Sequence, residues 1–170
     1  MEIKQIETFI SKIPDFPKKG ILYYDISTVI LDSEAFKYTI QHLSFLIAKY
    51  SFDKFAAIDA RGFIFASALA IKLNKGIVMV RKKNKLPGKT KSINYDLEYG
   101  QDTLEINQNV KKMNIVLVDD LLATGGTGLA AFKLIKNSGG DVKCFLTFVE
   151  LEFLKGKDKF NIPVKTLIKY

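Results

Sequence analysis

The chain has one cysteine, one histidine and no apolar run long enough to span a bilayer, and each shortage excludes a class of function. Cys144 lies inside the apolar run 142–149, so it is expected to be a core residue without a disulfide partner, in a reducing, cytoplasmic setting. His42 falls off the apolar stripe of its segment, where a solvated surface residue is expected in place of a catalyst or metal ligand. The Met-Glu-Ile-Lys start carries no signal-peptide apolar region, and there are no internal repeats or low-complexity segments. A net charge of +8 is enough for a nucleic-acid partner, but the 26 Lys and Arg are mostly dispersed and no basic motif is interleaved with aromatics. A small polyanionic ligand accounts better for the local excess, with neither nucleic acid nor membrane as partner.

What is present describes one α/β domain. With 170 residues and 48% hydrophobic content, the chain can bury a sizeable core. Asp32-Ser-Glu can begin a helix, after which Phe36, Ile40, Leu43 and Ile47 recur on one face. Strands are predicted at 55–58, 76–80, 115–118, 142–149 and 164–168. Helices are predicted at 63–73 and 127–137, the second stopped by Gly139-Gly140. Alternating strands and helices predict a mainly parallel sheet flanked by helices.

The strongest chemical signal is Val116-Leu-Val-Asp-Asp-Leu-Leu-Ala-Thr-Gly-Gly-Thr-Gly128. A β-branched run apolar on both faces suits a central parallel strand. Gly125, Gly126 and Gly128 leave the following turn without obstructing side chains, so phosphate can approach backbone N–H groups at a helix start. Asp119 and Asp120 stand at the carboxyl end of the strand, where such sheets bind ligands, and ionised carboxylates accept hydrogen bonds from vicinal ribose hydroxyls. Thr124 and Thr127 add hydroxyls beside the phosphate.

Three other readings compete. The glycines could serve only close strand-to-helix packing, yet acids directly before an anion-binding turn oppose the anion unless the ligand also carries donors. Gly126-Thr-Gly128-Leu-Ala-Ala131 fits a loose dinucleotide fingerprint with Glu150 at about the expected distance, but that fingerprint normally opens a nucleotide domain and only twenty residues follow Glu150. A P-loop at Gly88-Lys89-Thr90 fails because Lys83 stands where its first glycine should be. Two cationic constellations strengthen the sugar-phosphate reading. Asp59-Ala-Arg61-Gly62 and Arg81-Lys82-Lys83 each follow a predicted strand, so both present charge to one edge of the sheet. Residues 82–103, rich in Lys, Gly, Tyr and Asn without a sustained period, are expected to form a long functional loop.

These residues resemble the type I phosphoribosyltransferases, and within them the adenine phosphoribosyltransferases. Val118-Asp-Asp-Leu-Leu-Ala-Thr-Gly-Gly-Thr127 is similar to the family's phosphoribosyl pyrophosphate motif. Ile13-Pro-Asp-Phe-Pro-Lys-Lys-Gly20, Ala60-Arg-Gly-Phe-Ile-Phe65, Val80-Arg-Lys-Lys83, Lys85-Leu-Pro-Gly-Lys-Thr90 and Tyr95-Asp-Leu-Glu-Tyr-Gly100 resemble its adenine-specific stretches. The chain departs from the pattern at Tyr24, where a basic residue is usual, and at Ala66, where glycine is common.

The resemblance implies a type I fold over residues 1–170, with a small hood and base-binding segment at 1–32 and a flexible catalytic loop at 82–103. It implies conversion of adenine and 5-phosphoribosyl 1-pyrophosphate to AMP and pyrophosphate in purine salvage, by a homodimer. Asp119 and Asp120 would hold the ribose hydroxyls, and Ala123, Thr124, Gly125, Gly126 and Thr127 the 5-phosphate. Arg61 and Arg81, with Lys82, would neutralise pyrophosphate together with Mg²⁺, which is expected to bind through substrate and water and not in a protein cage. Leu22 and Tyr23 would contact the purine. Glu98 would act as acid or base on the adenine ring, accompanied by Tyr99. A transferase for another base and a non-catalytic sensor of phosphoribosyl ligands are the alternatives.

Overall fold

The computed structural model describes residues 1–97 and 100–170, so Glu98 and Tyr99 lie outside the described residues. Five parallel strands form the centre: β3 (Lys54–Ile58), β4 (Gly76–Lys82), β7 (Asn114–Leu122), β8 (Asp141–Glu150) and β9 (Val164–Lys169). A hairpin of β5 (Lys91–Leu97) and β6 (Gly100–Ile106) extends one edge by antiparallel pairing of β6 with β4, giving the order β5-β6-β4-β3-β7-β8-β9. The expected mainly parallel sheet is therefore present, with one antiparallel edge.

Helices cover both faces because the central strands are apolar on both. Phe55 and Val116 join a cluster beneath α3 (Ser33–Leu46) and α4 (Gly62–Leu73), whereas Ala56, Ile115 and Leu117 pack towards α5 (Gly126–Asn137). Helix α3 starts as the sequence predicts: Asp32 Oδ1 accepts from the Ala35 N–H at 2.8 Å, and Ile40, Leu43 and Ile47 are buried. Gly139, in the left-handed region at φ +91°, follows α5 where the glycine stop was expected.

The stretch 82–103 departs from the expected loop. It contains a turn and most of the β5–β6 hairpin, where Ile93 and Tyr95 pack against the core while Ser92, Asn94 and Asp96 are exposed. This period-two pattern is short, Ile93, Tyr95 and Leu97 in the sequence, and does not stand out among polar neighbours. The segment 1–32 folds as helix α1 (Ile3–Glu7), an antiparallel pair of β1 (Ser11–Pro14) with β2 (Leu22–Asp25), and helix α2 (Ser27–Leu31). His42 also differs from expectation. It is half-buried, with Nε2 3.1 Å from the Met1 carbonyl oxygen, so it ties α3 to the N-terminal segment and is not simply solvated.

Candidate active site

The sheet opens at the carboxyl ends of β3 and β7 into a cavity of about 800 Å³, whose lining includes Arg61, Lys82, Asp119, Asp120, Ala123, Thr124, Gly125, Gly126 and Thr127. Three separated stretches of sequence, at 61, 82 and 119–127, thus converge at the crevice where open parallel sheets bind ligands. Strand β7 runs four residues further than its apolar sequence, through both acids to Leu122, because β8 continues pairing with it as far as Leu122–Glu150.

The glycines divide two tasks that sequence reading set against each other. A Cβ on Gly128 would lie 2.7 Å from Phe145 Cε1, so this residue permits α5 to pack on β8. Among the described residues Gly126 has nothing closer to its Cβ position than the Asp96 carbonyl oxygen at 3.8 Å, which leaves the mouth of the turn open on that side. Gly125 supplies the left-handed turn at φ +80° into the helix, whose first N–H groups have no partners within the helix. The loop is braced from behind by Gly156. Any Cβ there would overlap the Ala123 carbonyl oxygen, a constraint no motif in the sequence reveals.

The acid pair is costly to ionise as built. Burial first, then the neighbouring Asp120 charge, holds the Asp119 carboxyl well above the usual aspartate range, although Asp119 Oδ1 accepts from the Asp120 N–H at 2.9 Å. Burial also raises Asp120, against the opposing pull of Arg61. Arg61 Nε lies 2.9 Å from Asp120 Oδ2, yet this buried oxygen receives no aligned donor among the described residues. An acceptor of this kind fits a sugar hydroxyl.

The cations arrange themselves unequally. Arg61, at the N-cap of α4, reaches both Asp120 and Tyr23, whose hydroxyl accepts from Nη1 at 2.6 Å. Lys82 Nζ pairs with Asp102 Oδ2 at 3.3 Å across the β4–β6 edge, and Asp102 also lines the cavity. Arg81 instead donates through Nε to Asp59 Oδ2 at 3.1 Å and through Nη1 to the Lys85 carbonyl at 3.2 Å, and it is not part of the lining. Leu22 and Tyr23 stand on the hood outside the lining, Leu22 exposed and Tyr23 half-buried with its ring edge-on to Phe16. Tyr24 faces elsewhere: it is buried and stacks on Tyr170 with ring centroids 4.2 Å apart. Its departure from the family pattern is therefore a packing feature. Sequence reading missed Lys159 and Tyr95, both in the lining: Lys159 sits in no recognisable motif, and Tyr95 opens a family-like stretch whose candidate residues were Glu98 and Tyr99.

The same geometry bears on the dinucleotide alternative and on a metal. Glu150, the acid a dinucleotide site requires, is buried beside Lys169 of β9 and does not line the cavity. Among the described residues no three His, Cys, Asp or Glu side chains cluster as a metal cage. A divalent cation here fits one or two carboxylates together with ligand oxygens, the mode in which Mg²⁺ binds phosphorylated substrates.

A parallel-sheet crevice with a buried acceptor oxygen on an acid pair, an open glycine turn at a helix start and an arginine beside the acids is the geometry of an α/β protein that suits a phosphorylated sugar. Comparison with known proteins narrows the class. The phosphoribosyl transferase domain model matches residues 27–165. The adenine phosphoribosyltransferase of Caldanaerobacter subterraneus subsp. tengcongensis is 47% identical, covering 100% of both chains. The crystal structure of the enzyme from Thermoanaerobacter pseudethanolicus superposes with a TM-score of 0.96 at 45% identity, over 99% of this chain and 100% of that one. The Saccharomyces cerevisiae enzyme, complexed with an imino-altritol bisphosphate and adenine, gives 0.91 at 34% identity over 97% of each chain. The chain belongs to the phosphoribosyltransferase family, in its adenine phosphoribosyltransferase branch.

Proposed function

We infer that the chain transfers the 5-phosphoribosyl group of 5-phosphoribosyl 1-pyrophosphate to adenine, producing AMP and pyrophosphate for purine salvage. The observation that carries the reading is the buried, donor-less Asp120 oxygen beside an open glycine turn: it calls for hydroxyl donors and a phosphate on one ligand. Adenine N9 attacks the anomeric carbon, the bond from that carbon to pyrophosphate oxygen breaks, and the N9 proton is lost.

Asp119 and Asp120 hold the ribose, and their charge favours the positive character that grows on the ring as pyrophosphate departs. The turn 123–127 anchors the 5-phosphate through backbone N–H groups. Arg61 faces the leaving pyrophosphate, with Lys82 at the opposite wall and Arg81 reaching it on release from Asp59. Mg²⁺, bound through substrate oxygens and water, would spread the charge on the leaving group. Leu22 and Tyr23 pack on the purine, and Glu98 with Tyr99 manages protons on its ring. The hairpin segment 82–103 closes over the site and excludes water.

A cytoplasmic homodimer is the working form in this reading. Exposed Leu31, Phe45 and Ile71 on α2, α3 and α4 supply apolar surface for an interface, and sedimentation of the purified protein measures it. No helix among the described residues is long and apolar enough to cross a membrane.

Incubating purified protein with 5-phosphoribosyl 1-pyrophosphate, Mg²⁺ and a panel of purines tests the reaction. AMP should form from adenine; turnover of a different base alone would reassign the specificity, and no turnover of any base would leave a ligand sensor. Glu98→Gln should lower adenine turnover with little change in thermal stability, and wild-type turnover in that variant would remove Glu98 from the chemistry.

A further inference from the structure

Tyr23 carries a group that packing on a purine does not need. Its ring, edge-on to Phe16 at a centroid distance of 5.1 Å, would offer the same face as phenylalanine. Its hydroxyl accepts from Arg61 Nη1 at 2.6 Å, and the Nε of the same guanidinium lies 2.9 Å from Asp120 Oδ2. One side chain therefore spans the hood strand β2 and the acid pair of β7, elements almost a hundred residues apart in sequence.

The contact has a physical consequence for Arg61. A guanidinium beside a buried carboxylate, with no other acceptor nearby, is drawn into a two-point pair with it, the geometry in which arginine and carboxylate bind best. Here Tyr23 holds Nη1, on a different edge of the guanidinium from Nε, and so fixes how the plane of the group is turned against Asp120. The Nε approaches Asp120 without aligning an N–H on Oδ2, which leaves that oxygen free to accept from a substrate hydroxyl. The arginine itself stays 41% exposed at the cavity wall.

We propose that the Tyr23 hydroxyl is a positioning group: it fixes the orientation of Arg61 beside Asp120 and towards the pyrophosphate side of the cavity, and so couples the hood that receives the base to the site that receives the phosphoribosyl donor. The proposal rests on the transferase reading for the identity of the two ligands. Its chemistry requires only an anion facing Arg61 and a hydroxyl donor facing Asp120.

Tyr23→Phe separates the two roles of the side chain. The KM for adenine should stay within about twofold, because the ring remains. The KM for 5-phosphoribosyl 1-pyrophosphate should rise roughly three- to tenfold, the net worth of one ordinary hydrogen bond. A general structural defect would instead lower the melting temperature and kcat for both substrates together. Arg61→Lys, alone and combined with Tyr23→Phe, completes a cycle in which the second substitution should add little once the first is made. Fully additive effects on kcat/KM would overturn the coupling. Calorimetric titration of wild type and Tyr23→Phe with pyrophosphate and Mg²⁺ repeats the comparison without turnover. Weaker binding in the variant supports the proposal even if wild type proves inert towards adenine, a result that would count only against the transferase reading. Equal pyrophosphate affinity in the two proteins sinks it.

Discussion

At the scale of single residues, the acid pair sets function against stability. The Asp119 pKa in the folded chain lies well above its ordinary value of 3.8, with burial as the first cause and the Asp120 charge as the second. In the window between the two values the folded state binds more protons than the unfolded one, so stability declines as pH rises through it. Asp119→Asn removes the half-buried, poorly solvated charge but keeps an oxygen to accept from the Asp120 N–H. The free variant should melt higher than wild type at pH 7.5, with the gain shrinking as pH falls towards 4; scanning calorimetry at both pH values measures it. Its kcat/KM for the phosphoribosyl donor should fall by about 1–3 kcal/mol in activation terms, since an amide presents donors to hydroxyls. A variant that melts lower than wild type at neutral pH would show that the carboxylate stabilises the free fold. Gly62 belongs to the same unit: a Cβ there would lie 2.9 Å from the Val118 carbonyl oxygen and 3.1 Å from Asp119 Oδ1. Gly62→Ala should therefore disturb β7 as well as α4, costing about 1–3 kcal/mol in chemical denaturation.

Among elements, the phosphate turn and the edge hairpin depend on supports distant in sequence. Gly156 abuts the turn so closely that its Cβ would occupy the Ala123 carbonyl position. Gly156→Ala should push the turn outwards and raise the KM for the phosphoribosyl donor at least several-fold while adenine affinity is kept, a split that steady-state kinetics resolves. Equal KM values would mean that the turn accommodates the methyl without moving. The β5–β6 hairpin leans on α5, with Asp96 contributing its backbone oxygen near Gly126 and Tyr95 lining the cavity. Its approach, residues 83–90, is different in character: Lys83, Lys85 and Lys89 are exposed, and few side chains there are buried. Limited proteolysis should cut this turn in the free protein and slow when non-reactive substrate analogues are added with Mg²⁺. Identical cutting with and without ligands would assign water exclusion to another segment.

Across the whole molecule, the excess positive charge and the strained acid pair make the empty protein a poor minimum and the liganded one a better one. On the proposed reading, phosphoribosyl donor with Mg²⁺ would bring anions to Arg61 and Lys82 and hydroxyls to Asp119 and Asp120. At a hundredfold excess over Kd it should stabilise by about 2.7 kcal/mol, which is roughly 5–10 °C for a chain of this length. Thermal shift measures this directly, and a rise with pyrophosphate but none with ribose 5-phosphate would place recognition on the cations and not on the turn. Burial pushes the Cys144 thiol up to about 12, so the same assay should be insensitive to mild oxidants.

Strands β3, β4, β7, β8 and β9 and helices α3 to α5 were legible along the chain because each buries a face or stripe whose period survives in the order of residues. The acid pair and glycine turn were legible for a similar reason: strand end, carboxylates and helix start are contiguous, so chemistry and geometry share one stretch. The β5–β6 hairpin was not, since its period-two pattern in β5 is short and set among polar residues, and its stability comes from α5 and β4. Only the fold could decide that Arg61 bridges Tyr23 to Asp120, that Arg81 turns to Asp59, and that Gly156 braces a turn some thirty residues before it. Local order determines which elements form and which groups they carry. Contacts between remote elements, set by packing the two faces of one sheet, determine which charges meet.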